Sequence, residues 1–100
     1  MTISNFFVCL FFNKNVEDVF QSILKYAELE YNIYTNKFYQ LGLMTKDEQC
    51  RIILNYRIND VDITKLEITV LPKFQSDKDF SFFTNVLNDF YCLVLNNINP

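Results

Sequence analysis

The period of the hydrophobic pattern changes along this chain, and these changes constrain the fold more than any other feature. Over residues 16–31, apolar side chains recur every three or four positions and form one stripe, a pattern typical of an amphipathic helix. Residues 50–58 and 64–70 instead alternate between apolar and polar at every second position, which predicts two half-buried strands. The helical period returns near residue 80 and continues to about residue 97, which predicts a second helix.

Two other segments are predicted to be strands. Residues 3–12 contain an unbroken apolar run, which is typical of a strand that is covered on both faces. Residues 37–44 alternate less regularly and predict a further strand. The sequence Ser76-Asp77-Lys78-Asp79 resembles a capping box ahead of the second helix, with Asp79 in place of the usual Glu. The predicted element order is therefore β-α-β-β-β-α.

The two alternating strands also predict their own register. If Ile58 faces Thr64 in an antiparallel hairpin, every inward apolar residue meets another apolar residue, and Arg57 reaches Glu67 diagonally. A slip of one residue would place Leu54 against Glu67, which excludes that register, whereas a slip of two residues preserves the alternation and stays open. The pairs predicted in this way are Tyr56 with Leu66, Leu54 with Ile68 and Ile52 with Val70.

These elements predict one α+β domain over residues 1–100, a two-layer sandwich of a mainly antiparallel four-stranded sheet with both helices on one face. In that arrangement, one apolar face of the first strand lacks cover from the helices, and contiguous apolar patches mark interfaces. The residues expected on this uncovered face are Phe6, Val8, Leu10, Phe12, Ile53 and Leu71.

The chain has few of the side chains that catalysis and ligand binding require. It contains no histidine and a single glycine, Gly42, so a histidine-activated nucleophile and a glycine-rich phosphate loop are both excluded. Its carboxylates occur as adjacent pairs at predicted turns and helix starts, where acids are normally solvated. Asp60 and Asp62 begin like a calcium loop but lack the glycine and the distal glutamate of that motif. We therefore expect no enzyme activity, no cofactor and no metal.

Charge and cysteine content narrow the possible partners. The formal net charge is −3 and the basic residues are scattered, so nucleic acid is disfavoured and a basic protein is favoured. The apolar run near the N-terminus is too short to cross a membrane and lacks a preceding basic residue, so no membrane association is expected. Cys9, Cys50 and Cys92 are widely spaced within apolar runs, which predicts buried free thiols and a cytoplasmic location. The abundance of residues with A/T-rich codons indicates a bacterial, phage or viral source.

Two surfaces are candidates for binding a partner. The polar side of the first helix carries Glu17, Asp18, Gln21 and Glu28, which would attract a basic protein. Tyr34 and Tyr39 are the members of a local aromatic cluster that we expect at an interface, whereas Tyr31 and Phe38 are expected in the core. The sequence thus predicts a non-enzymatic inhibitor or immunity-type protein that blocks a basic toxin, nuclease or defence protein. The alternative is a homodimeric secretion chaperone or assembly subunit that uses the apolar first strand.

Overall fold

The computed structural model describes residues 6–37, 39–73 and 77–98, which form two helices and five strands of an α+β fold. The predicted segment 37–44 is in fact the second strand of a hairpin whose first strand begins directly after the first helix. The element order is β-α-β-β-β-β-α, so the predicted order is wrong because it lacks one strand, and the sheet has five strands and not four. The elements are β1 (Phe6–Phe12), α1 (Val16–Glu30), β2 (Asn32–Lys37), β3 (Gln40–Met44), β4 (Cys50–Asp60), β5 (Ile63–Pro72) and α2 (Phe80–Ile98).

The five strands form one antiparallel sheet in the order β1-β5-β4-β3-β2. Strands β2 to β5 are joined in sequence as hairpins, and β1 is the edge strand beside β5. The chain must therefore cross from one edge of the sheet to the other between β1 and β2, and α1 makes that crossing. Because β1 and β2 point in the same direction, α1 also returns the chain along the length of the strands, and it contacts β2, β4 and β5 on the way.

Both helices cover the same face of the sheet and share one core with it. Val19, Ile23 and Ala27 of α1 are fully buried, as are Phe90 and Val94 of α2. These side chains pack against the inward residues of the strands, which are Leu41, Leu43, Cys50, Ile52, Leu54, Tyr56, Leu66, Ile68 and Val70. The Thr64 hydroxyl donates a hydrogen bond of 2.8 Å to the Lys14 carbonyl and so fixes the connection between β1 and α1 against β5. The predicted placement of two helices on one face agrees with this packing.

The β4–β5 hairpin has the predicted register. Ile58 faces Thr64, and the inward pairs of residues 52–56 with residues 66–70 are those that the alternation required. Arg57 lies diagonally across from Glu67, with 3.2 Å between Nε and Oε1. The hydrophobic alternation predicted the parity of this pairing, because each strand has one apolar and one polar face, and the structure selects this register over a slip of two residues.

The orientation of β1 is opposite to the predicted one. Phe6 and Phe12 are buried towards the helices, and Phe6 packs 4.9 Å from Phe80 between ring centroids. The residues on the face away from the helices are Phe7, Cys9 and Phe11, of which Phe7 is 53% and Phe11 59% exposed. Both faces of β1 are apolar, so the sequence alternation contains no signal that distinguishes them.

Two smaller predictions also change. Helix α2 begins at Phe80 because the Asp79 carboxylate accepts a hydrogen bond of 3.0 Å from the Phe82 amide, which makes Asp79 the N-cap. Ser76, the predicted cap, lies outside the described residues, as do residues 3–5 of the predicted first strand.

Of the three cysteines, which are all free thiols, only Cys50 is buried, and Cys92 is exposed on α2.

Candidate partner-binding surfaces

The start of α1 is fixed by its own sequence. The Asn15 side chain accepts a hydrogen bond of 2.9 Å from the Asp18 amide and caps the helix, and Glu17 and Asp18 place negative charge in the first turn. One side of the helix is buried in the core through Val16 and Val19. The opposite side must therefore face water, and it carries the predicted acidic residues.

We call the exposed residues Glu17, Asp18, Gln21 and Glu28 the acidic strip. Glu17 and Glu28 are 11 residues apart, which is about three turns, so they lie on the same side of α1 at about 16 Å along its axis. Gln21 lies between them and donates a hydrogen bond of 3.1 Å to Glu17 Oε1. Lys25 is exposed on the same side, so the strip is acidic but not uniformly so.

The acids of the strip form no ion pair within the described parts of the chain. The two ion pairs of residues 6–37, 39–73 and 77–98 both involve Glu67, which lies 3.2 Å from Arg57 Nε and 3.4 Å from Lys65 Nζ. Burial alone would raise the pKa of Glu67, but the hydrogen bonds and charges of these two basic side chains together hold it below its ordinary value. Arg57 and Lys65 are thus paired with Glu67, whereas the acids of α1 face water.

Tyr39 lies beside the N-terminal end of the acidic strip. It follows β2 in the tight turn to β3, where its φ of 63° falls in the left-handed region that is unfavourable for a side chain of this size. Its carbonyl accepts a hydrogen bond of 2.9 Å from the Tyr56 amide, which holds this backbone in place. The half-buried ring lines a shallow surface depression together with Glu17, Phe20, Asn36 and Lys37. The structure therefore brings together Glu17 and Tyr39, and it adds Lys37 to the same place.

Tyr34 does not join that surface. It lies on β2 at the face of the sheet away from the helices, which we call the open face. Its ring covers Gly42, because a Cβ added to Gly42 would lie 2.8 Å from Tyr34 Cζ and 2.9 Å from Cε2. The register of β2 shifts between Ile33 and Thr35, and this bulge is what the sequence pattern did not reveal. Tyr34 thus covers a glycine on the open face and is separated by the sheet from the acidic strip.

The other aromatic predictions are settled by burial. Tyr31 is half-buried and packs edge-on against Phe90, with 5.5 Å between ring centroids, as expected for a core residue. Desolvation by burial, followed by the nearby charges of Asp89 and Glu30, raises the pKa of Tyr31 to about 12. Burial likewise raises the pKa of Tyr26 and Tyr56 above the ordinary value of a phenol. Phe38 lies outside the described residues.

The open face carries exposed apolar side chains of β1, but they are not the β1 residues that we predicted there. Phe7 faces Thr69 on β5, and Ile53 on β4 lies on the far side of Thr69 in the same row. The next row contains Cys9, Glu67, Asn55 and Gln40, of which Gln40 donates a hydrogen bond of 3.1 Å to Asn55. The predicted Ile53 and Leu71 do lie on this face, but their neighbours on β1 are Phe7, Cys9 and Phe11.

Two properties of the described residues bear on other classes of function. Among residues 6–37, 39–73 and 77–98, no group of three or more cysteines and carboxylates is close enough to hold a metal ion. In the same residues, neither helix combines the length and the apolar character that crossing a membrane requires.

Comparison with known proteins gives a structural likeness but no match by sequence. No protein-family model and no curated protein matches this chain. Its fold is similar to the crystal structure of an uncharacterized protein from Bacillus thuringiensis, with a TM-score of 0.45 and 10% sequence identity over 95% of this chain and 96% of that one. At this level of similarity no residue or function is transferred from that protein.

Proposed function

We propose that this chain is a non-enzymatic protein-binding module, an inhibitor or immunity-type protein that covers a basic site on a toxin, nuclease or defence protein. The observation that supports the proposal most directly is the state of the acidic strip. Its carboxylates are exposed on α1 and have no ion-pair partner among the described residues, whereas Glu67 is paired twice. Unpaired surface acids leave their electrostatic field available to a partner.

The position of the strip fits this role. It runs about 16 Å along one rigid helix that is anchored in the core, so its charges keep a fixed spacing. At its N-terminal end, Tyr39 contributes an aromatic surface, and tyrosine is enriched among the residues that contribute most to binding. A partner that contacts this end would meet Glu17 and Tyr39 together, with Asp18 and Gln21 beside them.

The experiment compares two variants that carry the same net charge. Glu17→Lys with Glu28→Lys reverses two charges of the strip, and Asp60→Lys with Asp62→Lys reverses two exposed charges near the β4–β5 turn. Each reversal adds two units, so both variants change the net charge from −3 to +1. Wild type and both variants are immobilised and exposed to lysate of the source organism, and the captured proteins are quantified by mass spectrometry.

We expect wild type and the Asp60/Asp62 variant to capture the same basic protein and the Glu17/Glu28 variant to lose it. Titration of that purified partner should show affinity weakened by roughly tenfold or more in the Glu17/Glu28 variant alone. Binding should also weaken between about 0.1 M and about 1 M salt, as the screening length falls from about 10 Å to about 3 Å. Equal capture by all three proteins, or equal loss in both variants, would contradict a role for the strip.

A further inference from the structure

Strand β1 is an edge of the sheet without the usual protection against pairing. Among the described strands it pairs with β5 alone, so the other side of its backbone faces away from the sheet. Exposed edges are normally protected by charged residues, proline or a bulge. Phe6–Phe12 contains no charged residue and no proline, and its seven pairs with β5 follow one another without a shift in register. The edge therefore keeps a regular geometry that another strand can extend.

The sequence of this edge is nearly symmetric about its central residue. Reading outwards from Cys9, Val8 corresponds to Leu10, Phe7 to Phe11 and Phe6 to Phe12. When two identical strands pair antiparallel about their centres, each residue faces the residue that corresponds to it in this way. Every side chain of β1 would then face one of similar shape and polarity in a second copy. Such self-complementarity is what a two-fold symmetric interface requires.

We propose that two copies of this chain associate through β1, paired antiparallel about Cys9, so that their two sheets become continuous. The proposal does not depend on the function proposed for the acidic strip. On the open face, Phe7 of each copy faces Phe11 of the other, and the two Cys9 residues face each other at the two-fold axis. These two phenylalanine pairs would cover side chains that are more than half exposed in the single chain.

The surroundings of β1 are compatible with this pairing. Helix α2 packs on β1 and β5, and its exposed Phe80 lies against Phe6, so apolar surface continues onto the helix layer. The nearest charged residues on the open face are Glu67 and Lys65 of β5, which pair with each other at 3.4 Å. Two copies would therefore not bring unpaired like charges together across the axis.

The first test introduces charges at Phe7 and Phe11, which face each other across the proposed interface. Phe7→Lys with Phe11→Lys places like charges opposite each other in the proposed dimer. Phe7→Lys with Phe11→Glu removes the same two aromatic rings but places opposite charges there. Asn32→Lys with Asn36→Lys adds two lysines to exposed positions of β2, the other edge, and serves as the control. The mass of each protein is measured by sedimentation equilibrium from about 1 µM to about 1 mM, the affinity range of small interfaces.

We expect wild type and the β2 control to approach twice the monomer mass of 12.0 kDa as concentration rises. The lysine–lysine variant should dimerise more weakly than the lysine–glutamate variant by roughly tenfold or more, because two cross-strand pairs change from attractive to repulsive. A wild type that stays monomeric throughout would overturn the proposal, as would equal dissociation of the two β1 variants. Circular dichroism of each variant confirms that the monomer is folded.

The second test locates the axis. Facing residues of antiparallel strands have Cα atoms about 4.5–5.5 Å apart, which is within the range of about 4.4–6.8 Å that a disulfide spans. Oxidation of Cys92→Ser with copper phenanthroline should therefore give a covalent dimer, whereas Cys9→Ser combined with Cys92→Ser should give none. No link through Cys9 in Cys92→Ser at concentrations where the mass is doubled would exclude pairing about Cys9.

Discussion

The two edges of this sheet differ in almost every property that controls strand pairing. Strand β2 is polar, with Asn32, Asn36 and Lys37 exposed, and its pairing with β3 is interrupted by a bulge between Ile33 and Thr35. Strand β1 is apolar throughout and pairs with β5 without interruption. A lysine, a bulge and a strand of polar residues are common ways in which proteins prevent an edge from recruiting another strand.

The difference indicates that protection of an edge is a local property of its sequence. The chain protects β2 and leaves β1 competent for pairing, although both belong to one sheet and one core. The β1 edge is also the more firmly anchored, since Phe6 and Phe12 are buried whereas β2 has no fully buried residue. An interface needs a strand that is anchored as well as uncovered, and β1 meets both conditions.

The largest expected effect on stability comes from truncating a side chain through which each edge strand packs on the core. Phe12→Ala removes a ring that is 5% exposed, and we expect it to lower the free energy of unfolding by about 3–5 kcal/mol. Ile33→Ala on β2 should cost about 1–2 kcal/mol, because part of that side chain already contacts water. Urea denaturation at a concentration where the chain is monomeric measures both. Equal losses at the two positions would mean that the edges are anchored equally.

A smaller effect is expected where Tyr34 holds β2 against β3. Gly42→Ala should lower stability by about 1 kcal/mol, since the new methyl group would lie 2.8 Å from Tyr34 Cζ and 3.0 Å from Thr35 Cβ. The ring is 46% exposed and can move outwards, which limits the cost. In a Tyr34→Ala background the same change should cost less or even stabilise, because alanine is otherwise preferred to glycine in a strand by about 0.5–1 kcal/mol. A cost that is unchanged in that background would show that the ring does not limit position 42.

The parity of the hairpin pairing, the two helices and the α+β class could be predicted because residues 16–31, 50–58 and 64–70 each separate an apolar from a polar side. A slip of the hairpin by two residues preserves the same separation, so the alternation alone did not exclude it. The orientation of β1 could not, because Phe6, Phe7, Phe11 and Phe12 are equally apolar and only the packing of the strand on the shared core distinguishes them. Strand β2 was missed because it begins directly after α1 and contains a bulge, so its residues follow neither period.

The candidate surfaces were predictable to a similar extent. Helical spacing placed the acidic strip correctly on the exposed side of α1, since that placement depends only on local geometry. It could not show that Tyr39 lies beside Glu17 and that Tyr34 lies across the sheet, because both positions depend on the β2–β3 turn and its bulge. The importance of Phe7 and Phe11 required the strand order, which places β1 at an edge.

The smallest expected effect on the free energy of unfolding comes from removing a polar contact beside each edge. Because the pKa of Glu67 in the folded chain is lowered below its unfolded value of about 4.3, its ion pairs stabilise the fold above that pH and lose this effect as pH falls through the folded-state pKa. Glu67→Gln should therefore cost less than about 1 kcal/mol at pH 7 and even less near pH 3. Gln40→Ala, which removes the neutral hydrogen bond to Asn55 nearer β2, should cost the same at both values. Urea denaturation midpoints of both variants at the two pH values measure these losses of stability. A loss in Glu67→Gln that grows on acidification would be inconsistent with the lowered pKa.

The most direct test of the account is amide hydrogen exchange measured residue by residue at low and at high protein concentration. If β1 pairs with a second copy, the outward amides of Phe6–Phe12 exchange slowly at high concentration and rapidly on dilution, while the outward amides of β2 exchange rapidly at both. If the outward amides of the two edges exchange equally fast at both concentrations, β1 recruits no second strand and the contrast between the edges has no consequence for assembly.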